Sequence, residues 1–252
     1  MSRLKEKVAL VTGGNSGIGK ATALLFAKEG AKVAIAARRE DEGQYVLREI
    51  REAGGEAIFV KTDVTKPDDC AAAVSQTVAA FGKLDIAFNN AGVQVSGKPV
   101  ADTEEHEWDF VVGVNLKGTF LSMKYEIPEI LKAGGGSIIN MSSTFGLIGS
   151  TFGACAYHAS KHGIIGITKA AALEYAKQKI RVNAVCPAFV ATDFIEEFLA
   201  DPDRAEQLKA LHPVGRLGTL EETAEAVLFL ASDASPFITG TTLSIDGGYA
   251  AG

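Results

Sequence analysis

Seven short apolar runs are strung along this chain with a helical stretch between each consecutive pair, and that alternation constrains the fold more than any other feature. The runs are Val8 to Val11, Val33 to Ala37, Ala57 to Val60, Leu84 to Phe88, Ser137 to Met141, Ile180 to Val185 and Thr242 to Ile245. The helical stretches are Ile18 to Lys28, Glu42 to Glu52, Pro67 to Phe81, Glu104 to Leu131, Ala159 to Lys177 and Glu221 to Ala231. Strands this continuous in apolar residues offer no polar face to water, so both faces must be covered. Strand–helix alternation does this by laying crossover helices on both sides of a parallel sheet, with right-handed connections as the default. At 252 residues, 47% of them hydrophobic, the chain can bury one large core, and no linker or low-complexity tract divides it. The expectation is a single doubly wound α/β domain of Rossmann type over residues 1–252.

The first run enters Thr12-Gly13-Gly14-Asn15-Ser16-Gly17-Ile18-Gly19, and Ala21, Leu24, Leu25 and Ala27 then carry a helical pattern out of it. A glycine loop between strand and helix is the context that dinucleotide binding requires. Gly13 can turn the chain at the strand end, Gly17 lets backbone approach a pyrophosphate, and Gly19 allows helix to pack closely on strand. Free N–H groups at the helix start would face the phosphates, where the helix dipole favours negative charge. The spacing is Thr-Gly-x-x-x-Gly-x-Gly, which differs from the standard Gly-x-Gly-x-x-Gly.

Tyr157 and Lys161 lie four residues apart at the start of a helical stretch, which stacks them on one face. A neighbouring ammonium stabilises phenolate, and lowering a phenol by ~3 pKa units takes roughly 4 kcal/mol, within reach of a close charge in a partly dry site. The pair therefore reads as an acid working near neutral pH. His158 and His162 flank it but point to other helix faces, as packing or surface groups. His106 and His212 show no partner, and four scattered histidines make no metal site.

Lysine and arginine total 25 against 31 aspartate and glutamate, a net charge of −6 without a basic block, so nucleic acid and anionic membrane are poor partners. No apolar run approaches a membrane span, and Met1 to Lys7 is charged without a signal segment. Cys70, Cys155 and Cys186 are odd in number and scattered, which suits free thiols in a reducing compartment. A cytoplasmic protein is expected.

The chain resembles the short-chain dehydrogenase/reductase family over almost its full length. The resemblance rests on the Thr12–Gly19 loop, Asp63-Val64, Asn89-Asn90-Ala91-Gly92, Asn115, Ser142-Ser143, Tyr157-x-x-x-Lys161, and Pro187 followed by Thr192. It implies a nicotinamide-dependent oxidoreductase with a seven-stranded parallel sheet, usually a homotetramer. By that resemblance Tyr157 would exchange a proton with a carbonyl or hydroxyl oxygen. Lys161 would hold the tyrosine pKa down and bind the nicotinamide ribose, and Asn115 would anchor a water linking Lys161 to solvent. A serine would polarise the substrate oxygen. Local pattern favours Ser143, although a count of thirteen residues back from the tyrosine lands on Thr144, and Ser142 also carries a hydroxyl. Asn15, Ser16 and Ile18 would complete the coenzyme loop. Asp63 and Val64 would border the adenine, Asn89, Ala91 and Gly92 would line the cleft, and Pro187, Val190 and Thr192 would meet the nicotinamide.

Coenzyme choice turns on the end of the second strand. An NAD-type site places an acid there for the ribose 2′-hydroxyl. This chain has Ala37 followed by Arg38 and Arg39, and an arginine fork suits a 2′-phosphate. NADP(H) is expected, with Arg38 as main contact and Arg39 as helper. NAD(H) stays possible if Glu40 or Asp41 takes the ribose. Residues 193–216 read as a substrate-covering segment, greasy at Phe194, Ile195, Phe198, Leu199 and Leu211 and broken at Pro202 and Pro213. Phe145, Leu147, Ile148 and Phe152 could form the opposite wall. A mostly apolar pocket implies a ketone, secondary alcohol or oxoacyl compound. A 3-oxoacyl reductase, a sugar (glucose) 1-dehydrogenase and a non-catalytic dinucleotide sensor are the alternatives, the last weakened because tyrosine and lysine are both present.

Overall fold

All seven apolar runs form strands: β1 (Val8–Thr12), β2 (Lys32–Ala37), β3 (Ala57–Lys61), β4 (Ile86–Asn89), β5 (Gly136–Met141), β6 (Ile180–Pro187) and β7 (Thr242–Ile245). The computed structural model describes residues 2–94, 97–192 and 200–251. All pairings are parallel, in the order β3-β2-β1-β4-β5-β6-β7. The order reverses between β1 and β4, which opens a crevice at the carboxyl ends of those strands. β4 begins two residues later than the apolar run. Leu84 and Asp85 lead into it, and the Asp85 carboxylate accepts the backbone N–H of Val8 at 2.8 Å.

The helices are α1 (Gly17–Lys28), α2 (Glu40–Glu52), α3 (Pro67–Phe81), α4 (Glu105–Val112), α5 (Gly118–Lys132), α6 (Cys155–Tyr175), α7 (Pro202–Ala210) and α8 (Leu220–Ala231). Local chemistry sets several ends. Pro67 opens α3 and Gly82, left-handed at φ 86°, closes it. Reciprocal capping by Thr219 and Glu222 starts α8, and Asp201 accepts two backbone N–H groups ahead of Pro202 at the start of α7. α4 and α5 form one continuous rod, as the expected Glu104–Leu131 helix implies, but a π-helical turn at Gly113–Lys117 joins them.

One core cluster packs Phe26 of α1, Val46 and Ile50 of α2 and Leu228 of α8 against one sheet face. A second packs Val74 of α3, Ile127 and Ile130 of α5 and Ala172 of α6 against the other. The doubly wound seven-stranded fold expected from the sequence is the observed one. Phe194, Ile195, Phe198 and Leu199 of the expected substrate cover lie outside the described residues.

Candidate active site

A cleft of ≈ 570 Å³ opens at the carboxyl ends of the strands, over the β1/β4 switch point. The β1–α1 loop forms one wall. Gly13 (φ +63°) and Gly17 (φ +50°) both adopt left-handed conformations that favour glycine. A Cβ on Gly13 would lie 2.8 Å from Asn90 Nδ2, and one on Gly19 would collide with the Gly13 carbonyl. A Cβ on Gly17 would meet only Thr192 Cγ2, at 3.9 Å, so that backbone is open to the cleft. Backbone this close to open space at the start of a twelve-residue helix fits a dinucleotide pyrophosphate.

Most of the expected residues converge here. Gly13, Asn15, Ser16, Gly17, Ile18, Arg38, Arg39, Asp63, Val64, Ala91, Gly92, Ser143, Tyr157, Lys161, Pro187, Val190 and Thr192 all line the cleft. Gly19, Asn89 and Asn115 do not. Gly19 is a packing contact beneath the loop. Asn89 was expected in the lining, but its side chain is buried below it, donating to Glu126 Oε2 and Asn140 Oδ1, each at 3.0 Å. The neighbouring Asn90 reaches the cleft instead and clamps the loop, its Nδ2 donating to the carbonyls of Thr12 (3.2 Å) and Gly13 (3.1 Å). Asn89 ends β4 and the chain turns at once, with the Asn90 N–H bonded to the Phe88 carbonyl (3.1 Å), so the two asparagines face different ways.

Asn115 sits in the π-helical turn, fully buried. Its Oδ1 accepts the Val93 N–H (2.8 Å), and its Nδ2 donates to the Val93 carbonyl (2.9 Å) and to Ser160 Oγ (3.2 Å). This holds the segment after β4 against α6, where a Cβ on Gly92 would lie 3.7 Å from Lys161 Nζ.

Tyr157 and Lys161 lie in the first two turns of α6, with Nζ 5.3 Å from the phenol ring centre. Lys161 Nζ donates to the Met141 carbonyl at the end of β5 (2.8 Å). The electrostatics differ from the expectation. Burial pushes the Tyr157 phenol up to about 12, with a hydrogen bond to Ser143 opposing it, and burial brings the Lys161 ammonium down to about 8. Desolvation is the leading cause for both groups, and it acts against the lowering of Tyr157 that a neighbouring charge alone implies. Among the three candidate hydroxyls, Ser142 Oγ is committed to the Lys161 carbonyl (2.9 Å) and Thr144 Oγ1 is buried without a partner among the described residues. Ser143 Oγ lines the cleft, accepting the Phe145 N–H (3.2 Å) and donating to the Pro187 carbonyl (3.4 Å).

At the rim, Arg39 Nε pairs with Glu42 Oε2 (2.7 Å) and its guanidinium donates to Ser16 Oγ (2.9 Å). Arg38 makes no ion pair among the described residues. Burial raises the Asp63 carboxyl, but hydrogen bonds from Thr65, with smaller contributions from the charges of Arg38 and Lys66, hold it below the usual carboxylate range. Glu40 and Asp41 do not line the cleft.

The end of the cleft beside Tyr157 is aromatic. Phe145 stands edge-on to Tyr157 (6.4 Å) and to Phe189 (5.9 Å), and Phe189 stacks on Tyr249 at 6.4 Å. Phe152 backs both phenylalanines, at 5.8 Å from Phe145 and 5.7 Å from Phe189, while Leu147 and Ile148 are outside the lining. Phe189 and Tyr249 were not anticipated. Neither belongs to a local motif, and Tyr249 arrives from the turn after β7. His158 stacks flat on Phe145 and hydrogen-bonds Ser150 Oγ (3.0 Å), a packing group as expected. His212 is buried behind Phe189 and Tyr249. Among the described residues no cluster of three or more ligating side chains could hold a metal, and no helix is long and apolar enough to cross a membrane.

A glycine-lined dinucleotide cleft that ends on a tyrosine, a lysine and a serine can be compared directly with known proteins. The family model described as enoyl-(acyl carrier protein) reductase matches residues 13–250. The cyclohexanol dehydrogenase of Acinetobacter sp. (strain SE19) is 46% identical over 248 residues, covering 98% of this chain and 96% of that protein. This chain belongs to the short-chain dehydrogenase/reductase family. The cyclopentanol dehydrogenase of Comamonas sp. (strain NCIMB 9872) is 41% identical over 251 residues, the whole of both chains. The crystal structure of levodione reductase superposes with a TM-score of 0.95 at 33% identity, covering 99% of each chain. As a short-chain dehydrogenase/reductase, the protein is an NAD(P)-dependent oxidoreductase acting on CH–OH and C=O groups.

Proposed function

We infer that this enzyme interconverts small alicyclic secondary alcohols and ketones, with NADP(H) as preferred coenzyme and Tyr157 as the acid/base. The observation that carries the substrate reading is the wall of Phe145, Phe189 and Tyr249 beside Tyr157, which offers a saturated ring apolar contact and few polar partners. The relatives named for cyclohexanol and cyclopentanol support the same class. A sugar would leave its hydroxyls unpaired against this wall. The coenzyme reading is supported by Ala37 at the strand end and by Arg38, charged, exposed and not engaged in an ion pair among the described residues. Arg39, already matched by Glu42, is the helper.

The bound coenzyme supplies or accepts the hydride. Around it, Tyr157 gives its phenolic proton to the ketone oxygen in reduction and takes one from the alcohol in oxidation. A phenol held up near 12 is protonated at neutral pH and so is ready in the reductive direction. Ser143 hydrogen-bonds the same oxygen and stabilises charge developing there. Lys161, fixed by the Met141 carbonyl, meets the ribose and favours phenolate when oxidation requires it. Asn115 keeps Gly92 and Val93 against this group and takes part in proton relay to solvent. Assembly as a homotetramer, in a cytoplasmic setting, belongs to the same proposal.

Initial rates with cyclohexanol and cyclohexanone, followed at the nicotinamide absorbance band with each coenzyme, test this reading. Faster turnover with NADP(H) and with cyclic ketones than with 3-oxoacyl thioesters or glucose is the expected result. Preference for an oxoacyl thioester would replace the substrate assignment, and equal use of NAD(H) would remove the role given to Arg38.

A further inference from the structure

Below the cleft runs a buried polar chain whose members do not line it. Asn89 Nδ2, at the end of β4, donates to Glu126 Oε2 of α5 and to Asn140 Oδ1 of β5, each at 3.0 Å. Asn140 Nδ2 donates to Thr168 Oγ1 of α6 (2.9 Å), and that hydroxyl donates to the Ile164 carbonyl (2.7 Å). Glu126, Asn140 and Thr168 are 0% exposed and Asn89 is 2% exposed, so bulk solvent does not reach them.

Two atoms of this chain have no partner among the described residues, Glu126 Oε1 and Asn89 Oδ1. They belong to two groups already joined at their other ends. An ionised glutamate would make both atoms acceptors, and two buried acceptors cannot satisfy each other. One proton on Oε1 resolves both, because the acid then donates to Asn89 Oδ1 while Asn89 Nδ2 donates to Oε2. No cation pairs with Glu126 among the described residues. The titratable group facing it is Cys70 of α3, whose thiol burial pushes up to about 11 and keeps neutral.

We propose that Glu126 is a neutral acid locked in a doubly hydrogen-bonded pair with the Asn89 carboxamide, and that this pair positions the carboxyl ends of β4 and β5 beneath the reacting groups. The connection runs through immediate neighbours. Asn90 follows Asn89 and clamps the glycine loop, and Met141 follows Asn140 and holds Lys161 Nζ. Thr168 lies on α6, two turns beyond Lys161. Glu126 touches neither substrate nor coenzyme and is a positioning residue.

Infrared difference spectra of the full-length protein against Glu126→Gln test the proton directly. The wild type at neutral pH is expected to show a protonated-carboxyl carbonyl band that Glu126→Gln lacks; its absence would overturn the proposal. Burial pushes Glu126 up to about 8, so the unfolded chain releases this proton before the native state does. The acid's contribution to stability is complete below the ordinary carboxyl range and is lost as pH rises to about 8. Over that window the wild-type Tm should therefore fall relative to Glu126→Gln, and a constant gap would count against a shared proton. For positioning, Glu126→Gln preserves both hydrogen bonds and should keep kcat within about two-fold, whereas Glu126→Leu should lose about ten-fold in kcat with a smaller change in KM. Equal kcat for Leu and wild type would remove the positioning role, as would equal loss for Leu and Gln. The kinetic arm rests on the reaction proposed above, and the infrared and melting arms do not, so failures of the two readings are told apart.

Discussion

Under the reacting centre, Lys161, Asn115, Ser142 and Asn140 are buried, and each is tied to a specific backbone or side-chain partner. At the rim over β2, Arg38 and Arg39 stand in water, and the pairing of Arg39 with Glu42 is an exposed i,i+3 contact. A polar group in the floor has no solvent to fall back on, so a substitution there changes stability as well as catalysis, through the partner it leaves unmet or the buried charge it removes. A charge at the rim is screened and contributes little to folding. In the function proposed above, the reaction is thus written where the protein can least tolerate change, and coenzyme preference where it can most.

The largest effect should come from Tyr157→Phe, with kcat falling by about 10²–10⁴ while coenzyme affinity stays within a few-fold by fluorescence titration. Retained turnover would mean the floor does not supply the proton. Lys161→Met sharpens the contrast because function and stability should move in opposite directions. Turnover should drop by about 10². At neutral pH, however, Tm should rise, since burial brings this ammonium down to about 8 and the buried charge is a cost there. A lysine with a depressed native pKa contributes its full stability only above its ordinary range and loses it as pH falls through about 8. The Tm advantage of Lys161→Met should therefore shrink as pH rises from about 8, and an advantage constant with pH would contradict it.

Arg38→Ala tests the rim. Loss of a charge-assisted contact should weaken NADPH by about 10–100-fold with little change for NADH and almost none in Tm. Arg39→Ala should cost NADPH only a few-fold. Equal losses for the two coenzymes would place the selecting contact elsewhere. The smallest effect is expected at the substrate wall, where Phe189→Ala should raise the cyclohexanone KM about ten-fold and leave the coenzyme KM unchanged.

These regions were not equally legible in the sequence. The strands were plain because buried parallel strands must be apolar throughout, and α3 could be bounded to the residue because Pro67 and Gly82 mark its ends. The glycine loop, Tyr157 and Lys161 were legible because their spacing reflects one turn or one helix face. The start of α6 at Cys155 was not, since Ala154 offers no side-chain cap. Asn89 and Asn90 were indistinguishable until the turn at the end of β4 assigned one to the core and the other to the cleft. Phe189 and Tyr249 meet only through tertiary folding, 60 residues apart in the chain (249 − 189). The direction of the Tyr157 shift was also out of reach, because sequence shows the neighbouring charge but not how dry the site is.

The turn that carries Tyr249 into the cleft wall has a practical consequence for handling this enzyme. Bulk added within Tyr249–Ala251 would sit at the cleft wall, where it would compete with ring binding. Leu4 is buried, its N–H bonded to the Glu29 carbonyl, on the side of the sheet where β1 begins, so changes around it leave the cleft mouth clear.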